Sequence, residues 1–294
     1  MPIFHYTNAA SMLSIIESSS LRLTHYKFLN DESEMNEGLA LITKEFIRVL
    51  KQVSTKEDGE KLEQLIGLID NANHFLEKVD EKDELTGVYV ISFSKAGDML
   101  SQWRAYGDYA IEFDESVLEK SLPSYKSSII NHRALIGSCA YTDEEVREKL
   151  RDCISAVISN IGYRIPNIEK ETSETSETSE TSETSNKSLS ISLVHNLIMT
   201  SCFIKNPGFN EESEVRVVTD DGERFFRARN RLIVPYTELH IPIESIKGIV
   251  VGPQKDQLLA IKSINTLFKD LKEKDGYQNL DVDIRASKIP FRSI

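Results

Sequence analysis

Three short apolar stretches carry polar side chains at alternate positions: Ile3-Phe4-His5-Tyr6-Thr7, Val88 to Ser94, and Glu212 to Val218. In a strand, alternate side chains share a face. His5 therefore groups with Thr7, Ser92 with Ser94, and Glu212 with Glu214 and Arg216. The opposite faces carry Phe4 and Tyr6, Ile91 and Phe93, Val215 and Val217, and read as core. An ionised carboxylate is very costly to bury without partners, so paired polar groups on strands are expected to face water or a functional cleft. If the three strands converge, that cleft holds an imidazole, hydroxyls, two carboxylates and a guanidinium. The set suits binding and cleaving a polar, sugar-containing ligand.

The chemistry of each group has a plainer alternative. A strand carboxylate stabilises positive charge developing on a sugar carbon as its bond to a leaving group breaks. Yet Glu-Glu-Ser-Glu-Val-Arg (211–216) also reads as a solvated edge strand, where ion pairs contribute only ~0–1 kcal/mol. Arg216 holds neighbouring carboxylates ionised or grips a phosphate. His5 and Thr7 bind ribose hydroxyls or an amide, or His5 merely bonds to a neighbour. Ser92 and Ser94 hold a polar ligand edge or pair across a sheet; neither lies in a GxSxG elbow. Trp103 and Tyr106, three apart, share a helical face and serve as core or as a stack for a flat ring. The chain has no P-loop, GxGxxG, HExxH or EF-hand loop, and His132, His195 and His240 lack metal-like spacing, so no metal is expected. Asp220-Asp221-Gly222 reads as a hairpin turn.

These groups are positioned by alternating elements. A strand at 3–7 leads into a helix capped by Thr7 or Asn8, with Met12, Leu13, Ile15 and Ile16 on its apolar side, and Leu21 to Leu23 returns as a strand. Residues 31–54 and 57–79 read as amphipathic helices, a helical insertion over about 31–80. Strand 86–94, a short helix with Trp103 and Tyr106, strand 109–113 and strand 135–141 follow. Thr142 and Glu145 form a capping box opening a helix to about residue 163. Residues 171–185 repeat Glu-Thr-Ser five times. With no apolar side chain the tract cannot offset its ordering entropy, so it reads as a disordered loop in a second helical insertion, about 143–204. A helix near 188–204, strands at 224–234 and 237–251, the turn Gly252-Pro253, a helix at 256–272 and a strand at 280–285 complete the chain. The pattern is α+β, one domain over 1–294, rather than regular βαβ alternation.

The 294 residues, 40% hydrophobic, suffice for a substantial core. The formal net charge of −12 argues against a protein that coats nucleic acid through a general field. A local basic groove remains available at Arg224, Arg227, Arg229 and Arg231. Cys139, Cys153 and Cys202 are odd in number and form no CxxC, so reduced thiols are expected. The sequence shows no signal peptide and no apolar run near the ~18 residues of a membrane span. A cytoplasmic protein with no membrane partner is the expectation.

Two resemblances extend this reading. The Phe-His-Tyr-Thr opening (4–7), the helix with Leu13 to Ile16, and Leu21-Arg22-Leu23 resemble the start of many ADP-ribosyltransferases, with Ser20 standing where a glycine often occurs there. Ser92-Phe93-Ser94 resembles that superfamily's Ser-x-Ser strand, and Glu212-Ser213-Glu214 its Glu-x-Glu strand, whose second glutamate is catalytic. The order His5-Tyr6-Thr7, Asn30-Asp31, Ser92-Phe93-Ser94, Trp103 with Tyr106, Glu212-x-Glu214-x-Arg216 and Gly252-Pro253 is similar to a bacterial family, domain of unknown function 2971.

The resemblances imply a split β core with inserted helices, and an NAD-dependent ADP-ribosyltransferase or NAD glycohydrolase using NAD as substrate. The acceptor stays open: protein, nucleic acid, small molecule or water. Glu214 would stabilise the oxocarbenium-like transition state and Glu212 orient or deprotonate the acceptor. His5, Tyr6 and Thr7 would bind NAD, Ser92 and Ser94 shape the pocket, Arg216 or Arg104 contact pyrophosphate, and Tyr106 or Trp103 stack on nicotinamide. A toxin or defence effector, toxic on expression and held in check by a regulatory partner protein, is a further implication. Two other readings stand beside it: a non-enzymatic nucleotide- or peptide-binding module, and a carboxylate-based hydrolase or nuclease.

Overall fold

The computed structural model describes residues 1–29, several residues between 38 and 48, residue 67, and 87–126, 131–150, 197–220, 222–229, 231–274, 276–278 and 280–290. Strand β1 (Pro2–Thr7) opens the chain. Helix α1 (Ala9–Ser18) follows, its first turn closed by Asn8, whose side chain accepts from the Ser11 N–H at 2.9 Å. Met12, Ile15 and Ile16 recur at helical spacing and are buried. Strand β2 (Ser20–His25) then returns.

Next come β3 (Tyr89–Ser94), α2 (Leu100–Tyr106), β4 (Tyr109–Asp114) and α3 (Glu115–Ser121). Gly107 links α2 to β4 at φ +135°, where a Cβ would lie 2.5 Å from the Thr7 carbonyl oxygen. Only glycine lets the chain pass that close to the end of β1. Short strands β5 (Ser124–Lys126), β6 (Asn131–Arg133) and β7 (Leu135–Ser138) lead to helical residues 143–150. The capping box holds: Glu145 N–H donates to Thr142 Oγ1, and Glu145 Oε2 accepts from the Tyr141 and Thr142 N–H groups. Residues 197–201 are helical, Pro207–Glu212 forms a 3-10 turn, and β8 (Glu214–Thr219), β9 (Phe225–Arg229), β10 (Leu232–His240), β11 (Ile246–Val251), α4 (Gln257–Lys272) and β12 (Asp283–Ala286) follow.

Ten strands form one sheet, in which β11–β12 is the one parallel strand pair among the described residues. The fold is thus α+β with a mostly antiparallel sheet. The sheet forks at β3. Ser94 pairs with Glu214 of β8 and with Phe4 of β1; Val90 pairs with Val218 of β8 and with Thr24 of β2. One edge of β3 is therefore filled by β8, while β1 and β2 share the other edge end to end. From there one arm runs β1–β4–β11–β12 and the other β2–β10–β9.

One face of the sheet is sealed by α1, α3 and α4 through Met12, Ile15, Ile16, Leu118, Ile264, Phe268 and Leu271, packed on Phe93, Phe113, Val215 and Val217. The other face is covered at its base by Ile198, Met199, Cys202 and Phe203 over Val90 and Val218, and on the first arm by Trp103 over Phe4 and Tyr6. Between these two covers the face is open. No helix among the described residues is long and apolar enough to cross a membrane.

Three expectations are corrected. The strands expected at 224–234 and 237–251 are three: β9 and β10, paired as a hairpin, and β11, separated from β10 by a 3-10 turn at Ile243–Ser245. The strands flanking Asp220-Asp221-Gly222 do not form a hairpin: β8 pairs with β3 and β7, and β9 with β10. Glu212 is not in the strand. Ser213 sits at φ 44°, in the left-handed region, and β8 begins at Glu214. The alternation that would align Glu212 with Glu214 is broken by that residue. The helices expected at 57–79, most of that at 31–54, and the Glu-Thr-Ser tract lie outside the described residues.

Candidate active site

The fork encloses a cleft of about 840 Å³. Its residues come from β1, the start of α1, β2, β3, α2, the 3-10 turn, β8 and β9. Directly paired antiparallel residues share a face, so Phe4 and Tyr6 lie on the face of Ser92, Ser94, Glu214 and Arg216. His5 and Thr7 lie on the opposite face. In a continuous sheet they would be separated from Glu214 by the sheet itself. The split changes this: where β1 and β2 diverge, the Ser92 carbonyl has no strand partner on that edge, and His5 Nδ1 bonds to it at 2.9 Å. The imidazole thus lies in the gap and lines the same cleft as Glu214.

Because the carbonyl can only accept, Nδ1 carries the proton. Burial lowers the His5 pKa, the Ser92 bond raises it and the nearby Arg227 charge lowers it, with a net fall below the ordinary histidine value. The ring is therefore neutral at pH 7, and Nε2 is its remaining acceptor.

Glu214 is 5% exposed and sits in an ion cluster. Its Oε1 accepts from Arg216 Nε at 2.9 Å; its Oε2 accepts from Arg216 Nη2 at 3.1 Å and from Lys205 Nζ at 2.6 Å. Arg216 Nη1 donates to the Cys202 carbonyl at 2.7 Å. Lys205 Nζ also donates to Glu212 Oε2 at 2.6 Å. The Glu214 N–H donates to Tyr141 Oη at 2.8 Å. Burial pushes the Glu214 pKa up, but the Arg216 and Lys205 charges and hydrogen bonds outweigh it and hold the carboxyl down at about 2. Strand β8 is buried along its whole length. Its polar face is covered by the segment after helical residues 197–201, which delivers Cys202 and Lys205.

The remaining predicted residues divide. Ser92 and Thr7 line the cleft. Ser94, although at the cleft wall, is 3% exposed and donates to the Glu212 carbonyl at 2.7 Å while accepting from the Ala96 N–H at 3.0 Å, so it anchors the 3-10 turn. Tyr6 gives its hydroxyl to the Ala96 carbonyl at 2.7 Å and accepts from the Met99 N–H, and its ring lies edge-on to Trp103 with centroids 4.6 Å apart. Trp103 is 6% exposed, donates from Nε1 to Asp98 Oδ1 at 2.9 Å, and does not line the cleft. The shared helical face is divided: Trp103 turns to the core, and Tyr106 lines the cleft. Arg104 is exposed and lies outside the cleft wall. Arg216 is consumed by Glu214 and the Cys202 carbonyl.

Sequence reasoning missed Lys205, which bridges both glutamates. A single lysine after Ser201-Cys202-Phe203-Ile204 carries no periodic signal. It also missed Arg22, and it read Arg227 and Arg229 only as part of a basic run; all three line the cleft. Among the described residues, no cluster of histidine, cysteine or acidic side chains is arranged to hold a metal ion.

The model of the family described as "Protein of unknown function (DUF2971)" matches residues 102–217. Over these residues the chain is similar to that family. The DUF2971 segment runs from α2 to Val217 and so contains Tyr106, Lys205, Glu212, Glu214 and Arg216, while His5, Arg22 and Arg227 lie outside it. No curated protein and no solved structure matches the chain.

Proposed function

We propose that the cleft binds NAD and cleaves its nicotinamide–ribose bond, as an ADP-ribosyltransferase or an NAD glycohydrolase. The observation that carries this reading is a carboxylate, Glu214, kept ionised at a pKa of about 2 in a cleft at a sheet fork whose other side presents a neutral imidazole. Nicotinamide leaves as a neutral molecule, taking the electron pair of the C–N bond, and positive charge develops on the ribose carbon. A fixed anion beside that carbon stabilises the charge in a site partly screened from water. Oε1 of Glu214 has Arg216 Nε as its one described donor, so it retains a lone pair for a ribose hydroxyl. His5 Nε2 accepts from a second hydroxyl or from the amide, and Tyr106 stacks on the departing ring. Glu212, tied to the cleft through Lys205, orients water or another acceptor and takes its proton. The resemblance of the His-Tyr-Thr, Ser-x-Ser and Glu-x-Glu segments to the ADP-ribosyltransferases supports the same reading. The acceptor, an effector role and a regulatory partner belong to this proposal too.

A binding-only reading is favoured by one feature: Glu214 already holds two cations. One experiment separates the two. The protein is incubated with NAD and released nicotinamide is measured for the parent, Glu214→Gln and Glu212→Gln, with circular dichroism confirming the fold. Losing one well-placed electrostatic stabiliser costs ~100- to 1,000-fold in rate, so Glu214→Gln should lose nearly all release. Equal release by the parent and Glu214→Gln would remove Glu214 from catalysis; nucleotide binding with no release by the parent would leave a binding module.

A further inference from the structure

The cleft carries an excess of positive charge that the chemistry of Glu214 does not use. Five cationic and two anionic side chains line it, in a chain of net charge −12. Two of the cations, Lys205 and Arg216, are matched by Glu212 and Glu214. Arg22, Arg227 and Arg229 lie together on the second arm, and Arg229 Nη1 donates to the Phe28 carbonyl at 3.3 Å. Register places Arg22 and Thr24 opposite Glu238 and Tyr236, and Phe225 of β9 opposite Tyr236, so Arg227 and Arg229 share the cleft face with Arg22 and Thr24. Arg22 pairs with Glu238 at 3.3 Å, at the exposed rim.

Arg227 is different. Its Nη2 donates to Thr24 Oγ1 at 2.8 Å, its Nε is buried with no hydrogen-bond partner, and among the described residues no carboxylate pairs with it. The Arg22 and Arg227 guanidinium carbons lie 5.4 and 5.6 Å from the centroid of the Tyr236 ring, a shared cation–π contact. A half-buried guanidinium with an unmatched donor, beside two more arginines, is a site organised for an anion that supplies several acceptor oxygens.

We propose that Arg22, Arg227, Arg229 and Thr24 form a diphosphate subsite for a nucleotide ligand. This moves phosphate recognition away from Arg216, which lines the cleft but is bonded to Glu214 and the Cys202 carbonyl, and from Arg104, which does not line it. A small ligand fits better than a polymer: the cleft is within the ~300–1,000 Å³ range of small-molecule sites, and the acidic chain repels a nucleic-acid backbone. The subsite rests on the cleft being a nucleotide site, as proposed above, but not on NAD cleavage.

The test is calorimetric titration with ADP, AMP, adenosine and a single-stranded oligonucleotide, none of which carries nicotinamide. The parent should bind ADP, bind AMP more weakly, and bind adenosine least. Arg227→Gln and Arg22→Gln should each weaken ADP by about 10- to 100-fold, one charge-assisted bond per variant, while adenosine binding stays unchanged. Arg224→Gln should bind ADP like the parent, because Arg224 donates to Tyr89 Oη and does not line the cleft. Arg229→Gln, at an exposed position, replaces Arg227→Gln if the latter fails to fold. ADP and adenosine of equal affinity, unaltered ADP binding in the arginine variants, or an oligonucleotide that outcompetes ADP would each overturn the subsite. NAD release that depends on Glu214 alongside ADP binding that ignores Arg227 would overturn the subsite and leave the proposed activity intact; the converse result would do the reverse.

Discussion

Replacing Glu214 by glutamine should make the folding stability lose a defined part of its pH dependence. The carboxyl titrates at about 2 in the fold against an ordinary 4.5. That difference corresponds to about 3 kcal/mol in favour of the folded state. The sign follows from proton counting: between pH 4.5 and 2 the unfolded chain binds a proton that the folded chain does not. The contribution is complete above pH 4.5 and is lost as pH falls through 2; about 2 of those 3 kcal/mol are already gone at pH 3. Truncation of one partner in a buried ion pair points the same way, at ~3–5 kcal/mol, because Arg216 would keep its charge against the Cys202 carbonyl and Lys205 its charge against Glu212. The measurement is urea unfolding of parent and Glu214→Gln at pH 7, 5 and 3, followed by fluorescence of Trp103, the sole tryptophan. The stability gap should be largest at pH 7 and should have shrunk to about 1 kcal/mol at pH 3. A gap that is constant across this range, or absent at pH 7, would show that the Lys205–Glu214–Arg216 cluster does not hold the carboxylate ionised, and the mechanism built on that anion would fall with it.

Other outcomes are expected. Since the His5 pKa is lowered, with burial the largest cause, the accepting Nε2 persists below the ordinary value of 6.5; nucleotide affinity measured by titration should be flat from pH 8 to 6.5, fall on further acidification, and lose that fall in His5→Gln. Trp103→Phe removes the 2.9 Å bond to Asp98, a side chain that also accepts from the Lys288 N–H at 2.8 Å. Chemical unfolding followed by circular dichroism should show a loss of about 1–2 kcal/mol, while nicotinamide release stays at the parental rate; a loss of release without a loss of stability would place the indole at the ligand after all.

Much of the local structure was legible along the chain. Thr7 or Asn8 before an apolar pattern marked the start of α1, where Asn8 proves to be the cap, and picked out Met12, Ile15 and Ile16 as buried but also Leu13, which is exposed; Thr142 with Glu145 fixed the start of the following helix. Alternation marked β1, β3 and the buried half of β8. It also singled out His5, Ser92 and Glu214, which meet in one cleft. Their roles were not legible in the same way. Trp103 and Tyr106 have the same spacing signal, yet one fills the core and the other lines the cleft, because Gly252 and Tyr6 pack against only the first.

What the sequence determined by itself is the set of short-range choices, which depend on neighbours within a turn or a strand: caps, apolar periodicity and the identity of the polar residues in apolar strands. Tertiary structure alone decided that β1 and β2 share one edge of β3, that Lys205 closes on Glu214, and that Arg22 meets Arg227, 205 positions further along the chain. The physical reason is that strand pairing and ion pairing act through space. The hydrogen bonds that place His5 in the gap are satisfied by a backbone carbonyl 87 residues away, and the charge that keeps Glu214 ionised arrives on a separate segment. No local pattern encodes either contact.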